Sequence, residues 1–212
     1  MQIKFHGHTS FTVEESGTTL LFDPYNDSIG LKPVDPKANI ISISWKNAPY
    51  NAVQSVEGDT KLFDWPGEYE VHGVHFKRIA SIVKPEEGEA VENTITIVHW
   101  GKVRLCHLGM QADKLTEEQI NQIGDVDILF VPVGGTPLLD AKKAKAVVEE
   151  IEPRVVIPMA YNTEGSTLGL KSVGDFLSEM GASGVEEMVS FKVKRSEMAE
   201  ESSKVILLGI TN

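Results

Sequence analysis

Residues 40–51 read IISISWKNAPYN, and the reading of this stretch decides what the chain is built around. Ile40, Ile41 and Ile43 are β-branched and apolar, with small Ser42 and Ser44 between them, so the segment predicts a buried strand ending at Trp45. Pro49 then blocks any helix, while Asn47, Tyr50 and Asn51 supply turn and polar groups. A buried strand that runs out into such a loop is the usual place for a reactive site.

Upstream, residues 2–5, 11–13 and 19–22 are rich in strand formers, and Glu15-Ser16-Gly17 predicts the turn between the last two. Asp23-Pro24 stops the third strand, and residues 25–37 have the composition of a surface loop. Downstream, residues 60–64 predict a short strand, residues 65–68 a turn, and residues 69–79 two strands hinged at Gly73. The sheet resumes at 94–98, after a polar loop at 84–92.

The second half changes rhythm. Leu115 and Ile120 bracket a capping box from Thr116 to Gln119, which predicts a helix closed by Gly124. A strand at 128–133, a turn at Gly134-Gly135, and a helix capped by Asp140 and ended by Pro153 follow. Next come a strand at 155–159, a helix at 170–180 and a final strand pair at 189–193 and 205–210. A strand-rich half followed by alternating helices and strands implies an α/β protein with sheets covered by helices. At 212 residues with 41% hydrophobic content, one domain spanning 1–212 is expected.

Lys and Arg number 20 against 31 Asp and Glu, a net charge of −11 that opposes nucleic acid or an anionic membrane as partner. The single cysteine, Cys106, lies in an apolar run and rules out an intramolecular disulfide or a multi-cysteine metal cluster. A reducing cytoplasm fits this usage. The first residues lack the apolar region of a secretory signal, and no apolar run reaches the roughly 18 residues of a membrane span, so a soluble, cytoplasmic protein is expected.

Several stretches resemble the metallo-β-lactamase superfamily, in particular its ascorbate-6-phosphate lactonase-like branch. These are FHGHTSF at 5–11, LFDP at 21–24, PGEYEV at 66–71, DVDIL at 125–129 with PVGG at 132–135, and VIPM at 156–159. Each motif is weak alone, but their order and spacing together imply the family's αβ/βα four-layer sandwich. In the family, the strand corresponding to 40–44 ends in a His-x-His-x-Asp-His metal loop. The resemblance places Trp45, Asn47, Pro49 and Tyr50 at those ligand positions, Met110 at the bridging Asp, Ala160 at the terminal His, and the middle His near Val83. The family implies zinc or another divalent metal, yet none of these residues is an imidazole, thiolate or carboxylate. His8, Asp23 and His107, which stand beside or behind the ligands in the family, remain.

Two functions follow. The first is a metal-free, catalytically inactive pseudo-hydrolase. Its old cleft, lined by Trp45, Asn47, Pro49, Tyr50, Met110 and Ala160, is either filled or binds a small molecule or protein without cofactor. The second is a hydrolase of small phosphorylated or lactone-like substrates, using His8, Asp23 and His107 as acid-base groups or as ligands of one weak metal.

Other polar residues read as structural. His6 and His8 lie two apart on a strand and could face one side, but a zinc site would need Asp23 or His107 to complete it. His72 and His75 should face opposite sides. Cys106 reads as an inert core thiol, and Ser42 and Ser44 lack a nucleophile elbow. Gly134-Gly135 lacks the Lys-Ser/Thr of a phosphate loop, and Glu68, Glu70 and residues 197–201 read as solvated faces.

Overall fold

The computed structural model describes residues 1–35, 37–46, 53, 58–83, 90–198 and 203–211. Strands β1 (Gln2–Gly7), β2 (Ser10–Glu15) and β3 (Thr18–Phe22) form an antiparallel meander, to which β4 (Ile40–Ser42) and β5 (Lys61–Phe63) add in parallel. Ser16 and Gly17 both have positive φ, 50° and 81°, as a two-residue hairpin turn requires. Alternate residues of β1 face the core, the strand period of two.

The second sheet starts with the antiparallel run β6 (Gly67–Val71), β7 (Val74–Val83), β8 (Val91–Trp100) and β9 (Val103–His107). The hinge at Gly73 is a tight turn with His72 at φ 52° and Gly73 at φ 72°. The helix α1 (Glu117–Ile123) follows, then β10 (Ile128–Pro132), α2 (Ala141–Ile151), β11 (Val155–Met159) and α3 (Gly174–Glu179). Strands β10 and β11 are buried at every residue and pair in parallel, which is why they read as unbroken apolar runs.

The chain closes with four short strands, β12 (Glu187–Met188), β13 (Phe191–Lys192), β14 (Lys204–Val205) and β15 (Leu207–Leu208). The resulting sheets have the orders β13-β1-β2-β3-β4-β5 and β14-β11-β10-β9-β8-β7-β6, with a small β12-β15 pair. Their inner faces share one apolar core, seen where Phe11 of the first sheet meets Phe130 of the second at 4.6 Å between ring centroids. This is the expected α/β sandwich. The outer face of the six-stranded sheet carries a second cluster, in which Tyr25, Ile29, Leu31 and Val34 cover Leu21, Ile41 and Ile43.

The helix caps are as the sequence implies. Both hydrogen bonds of the Thr116–Gln119 capping box form, and the Gly124 N–H closes α1 on the Ile120 carbonyl. In α2 the Asp140 side chain accepts from the Lys143 N–H, and Ala144, Val147, Val148 and Ile151 bury one helical stripe.

Three expectations fail. The helix at 170–180 is only α3, because the Lys171 N–H donates to Gly134 and its carbonyl accepts from Asn162, so tertiary bonds hold that backbone extended. The final strand pair does not exist: β13 joins β1, β14 joins β11, and β12 joins β15. The turn at 65–68 is shorter, since β6 already begins at Gly67. No helix among the described residues is long and apolar enough to cross a membrane.

Candidate functional site

The ends of β1, β3, β4, β9 and β11 meet at one edge of the sandwich, and their backbones are unusual there. His8, Asp23 and Ala160 have positive φ of 52°, 43° and 50°, although none is glycine. Such a conformation costs of the order of 1–2 kcal/mol per residue and persists only where the surroundings enforce it. The enforcing bonds are visible. The Ala160 N–H donates to the His8 carbonyl at 2.7 Å, and the Asp23 N–H donates to the Ser42 carbonyl at 3.0 Å.

Asp23 is 1% exposed, and its carboxylate accepts from the Ser44 N–H at 2.6 Å and the Ser44 hydroxyl at 2.5 Å. These charge-assisted bonds fix the exit of β4 toward Trp45. Gly109, after β9, lies against the same turn at φ 60°, where a Cβ would stand 2.6 Å from the Ser44 Cβ and 2.4 Å from Asn93 Oδ1. Only glycine suits both the dihedral and the approach.

His107 is fully buried, stacked on Phe22 at 4.6 Å between centroids with planes 3° apart. Its Nδ1 accepts from the Gly109 N–H at 3.2 Å, so the ring proton resides on Nε2, which donates to the Thr9 carbonyl at 2.9 Å. Burial lowers the His107 pKa, opposed by the Asp23 charge and the Thr9 bond, and the ring is neutral at pH 7. His8 lies near enough to feel His107, and burial first, then that neighbour, pushes its pKa down to about 3. Its Nδ1 is 3.2 Å from the Thr9 hydroxyl.

The positive charge behind Asp23 is Arg78, 3% exposed on β7. Its guanidinium donates to the Trp65 carbonyl at 3.1 Å, the Thr96 hydroxyl at 3.3 Å and the Ile43 carbonyl. Burial lowers its pKa to about 10, with Asp23 the largest influence the other way, so it stays charged.

A polar chain leads from this interior to solvent. Asn93 Oδ1 accepts from the Met110 N–H at 2.8 Å and its amide donates to the Leu108 carbonyl at 3.0 Å. Gln111 beside it accepts from the Ser81 hydroxyl at 2.7 Å. Ser81 and Gln111 line a cavity of about 530 Å³, together with Thr136, Leu138 and Lys143.

Among the residues singled out in the sequence, Trp45, Met110 and Ala160 are all buried in the main core, at 8%, 4% and 0% exposure. Asn47, Pro49 and Tyr50 lie outside the described residues. Val83 is buried at the end of β7. His8, Asp23 and His107 come together as described. His6 does not join them, because Gly7 at φ 105° and His8 break the strand alternation. Its ring bonds instead to the Thr211 carbonyl and the Thr12 hydroxyl. His75 pairs with Glu70 on the surface, and burial pushes the Cys106 thiol up, keeping it unreactive. Arg78, Ser81, Asn93 and Gln111 were missed. The one available signal was Arg78 inside a strand otherwise rich in apolar residues.

Residues 2–160 match the family described as the β-lactamase superfamily domain. The chain belongs to that superfamily. A UPF0173 metal-dependent hydrolase of Carboxydothermus hydrogenoformans is 28% identical, over 87% of this chain and 94% of its own length. The UPF0173 metal-dependent hydrolase YtkL of Bacillus subtilis is 24% identical, over 77% and 86%. A solved metallo-β-lactamase superfamily structure from Thermotoga maritima superposes with a TM-score of 0.78 at 28% identity, covering 98% of this chain and 97% of that one.

These relatives overturn the expectation of an inactive pseudo-hydrolase with a merely structural or ligand-binding role. They span nearly the whole chain and are named hydrolases, and nothing in the fold marks this member as inactive. They are also named metal-dependent. Among the described residues both His107 nitrogens are held by backbone groups and each Asp23 oxygen already accepts from Ser44, so these two side chains as they stand do not form a ready ligand set for a divalent cation.

Proposed function

We propose that the chain is a hydrolase of small phosphorylated or lactone-like substrates, working at the strand-end edge beside the 530 Å³ cavity. The observation that carries this reading is the left-handed backbone at His8, Asp23 and Ala160, three non-glycine residues strained at the ends of three strands and cross-linked to one another's neighbours. The relatives named metal-dependent hydrolases support it.

In this reading the cavity takes the substrate. On its wall Lys114 and the Lys143 ammonium, the latter also 3.7 Å from Asp113 Oδ1, attract an anionic phosphoryl or lactone carboxyl product, and the Ser81–Gln111 pair forms a fixed polar floor. Neutral His107 acts through position: it ties the Thr9 loop to Gly109 and so fixes the peptide that carries Met110. Asp23 and Arg78 hold the exit of β4 behind it through Ser44 and Ile43.

The test uses the purified full chain with p-nitrophenyl phosphate esters and with γ- and δ-lactones, each with and without added Mn²⁺ or Zn²⁺. Turnover in one class, raised in KM by Lys143→Gln and lowered in kcat by Gln111→Ala, is the expected result. A folded protein inert toward both classes under every metal condition would remove the reading.

A further inference from the structure

A second cavity, of about 440 Å³, lies at the other end of the parallel strands. It opens beside the starts of β9, β10 and β11, while His107 closes the far end of β9; five strand residues at about 3.3 Å each separate the two ends. Its lining gathers Lys102, Arg104, Arg154 and Arg195 in a chain whose net charge is −11. That concentration runs against the overall charge and needs a physical account.

Part of the account is structural. Asp127 at the start of β10 is buried, and its Oδ1 accepts from Arg154 Nε and Arg195 Nε, both at 3.0 Å. Its Oδ2 accepts from the Arg104 N–H at 2.9 Å. One carboxylate thus fastens three segments. Two Nε–H groups and a backbone amide then occupy three of the roughly four acceptor positions of this carboxylate.

The remaining cations exceed what this clamp uses. Arg195 also donates its Nε–H to the Lys102 carbonyl at 3.2 Å, which pins its stem at the wall of the cavity it lines. Arg104 donates Nε–H to His99 Nε2 at 3.1 Å, so His99 is a neutral acceptor there and does not neutralise it. Lys102 is exposed at the cavity wall. Asp125 and Glu152 stand exposed at the rim and oppose anion entry in part. Asp127 engages neither the Lys102 ammonium nor the Arg104 side chain.

We propose that this cavity binds a small phosphate-bearing molecule, with Lys102, Arg104 and Arg195 around the phosphoryl oxygens. Planar guanidinium forks plus one ammonium match a multi-oxygen dianion better than a single carboxylate. The volume falls in the range that holds a small organic phosphate, and the polar lining disfavours a lipid chain. A nucleic acid is disfavoured by the net charge of −11 that the whole chain carries. The site is separate from the strand-end edge, so it stands whether or not the hydrolase reading does.

The experiment is calorimetric titration of inorganic pyrophosphate into the full chain at constant ionic strength, with wild type, Lys102→Gln, Arg104→Gln and Lys143→Gln. A saturable phase weakened about tenfold or more by Lys102→Gln and by Arg104→Gln and unchanged by Lys143→Gln is the expected pattern, any binding at the Lys143 cavity forming a separate phase that only Lys143→Gln removes. Absence of saturable heat to millimolar concentration, equal affinity in all variants, or a loss confined to Lys143→Gln would overturn the proposal. Should Arg104→Gln fail to fold, Lys102→Gln still decides, because the Lys102 carbonyl and not its side chain holds Arg195.

Discussion

Replacing Arg78 by Met keeps most of the buried stem and removes only the guanidinium, which isolates the energetics of the charge. Two carbonyls, of Ile43 and Trp65, lose a charged donor, whereas the Thr96 hydroxyl keeps Ser42 at 3.4 Å as a second neighbour. Leaving a buried acceptor unsatisfied costs about 1–3 kcal/mol. The buried Ile43 carbonyl therefore accounts for about 1–3 kcal/mol, while the Trp65 carbonyl, on a residue 61% exposed, keeps the Tyr69 hydroxyl at 3.3 Å. Asp23, 1% exposed, also loses its buried countercharge, and breaking a buried charge pair costs about 3–5 kcal/mol in total. The charge contribution is the larger, so a loss of about 3–5 kcal/mol is expected for Arg78→Met. Urea melts of wild type, Arg78→Met, Asp23→Asn and the double variant would measure it. Since each single change strands the other charge, the double variant should lose about 1–2 kcal/mol less than the sum of the singles. A loss below about 1 kcal/mol for Arg78→Met, or strict additivity, would show that Asp23 and Arg78 do not balance one another across β4.

Three further outcomes are expected. Trp45→Ala should destabilise by about 3–5 kcal/mol in a denaturant melt, because the indole is 8% exposed within the main core; a change under about 1 kcal/mol would place it on an open cleft. Thr116→Ala should cost about 1 kcal/mol by removing one half of the capping box, with an unchanged midpoint refuting its contribution. The pKa of His8 is lowered from 6.5 to about 3 on folding, so the unfolded chain binds the proton more tightly: stability is complete above about pH 7.5 and falls as pH drops below 6.5 toward 3. At pH 5 that loss is roughly 2 kcal/mol from His8, and burial of His107 acts in the same direction. Melts of wild type and His8→Gln from pH 7.5 to 5 check it, and parallel curves would refute the assignment to His8.

What the sequence shows of this fold is what local chemistry controls. The Thr116 box, the Asp140 cap and the 144-147-148-151 stripe each need only neighbours within one or two turns, and each forms. The apolar runs of β10 and β11 announce buried parallel strands for the same reason. Residues 170–173 have helical spacing but lie extended, since Gly134 and Asn162 offer Lys171 backbone partners that no local pattern reveals. The last strands likewise read as one pair yet distribute over three sheets, because strand pairing is decided by which edge is open. At the candidate site the types of His8, Asp23 and His107 could be picked out. Their states could not: Ser44 lies 21 residues from Asp23 and Thr9 lies 98 from His107, and those partners fix proton and orientation.

The edge is therefore defined by backbone geometry at several strand ends. Gly134 lies so close to Ala160 that a Cβ would stand 2.1 Å from its carbonyl oxygen, and Gly109 is equally confined between Ser44 and Asn93. These contacts join β4, β8, β9, β10 and β11 at their ends, so His107 and Asp23 cannot shift without moving several strands at once. A chain can thus change the chemistry offered at this edge while holding the frame rigid. That separation explains how the fold follows relatives named metal-dependent hydrolases along nearly its whole length while the described donors are already engaged. The proposed activity would then draw on groups that the cavity presents, of which Lys143 is exposed, whereas Gln111, 3% exposed, is held by Ser81 and the Asp113 carbonyl and can only shape the floor.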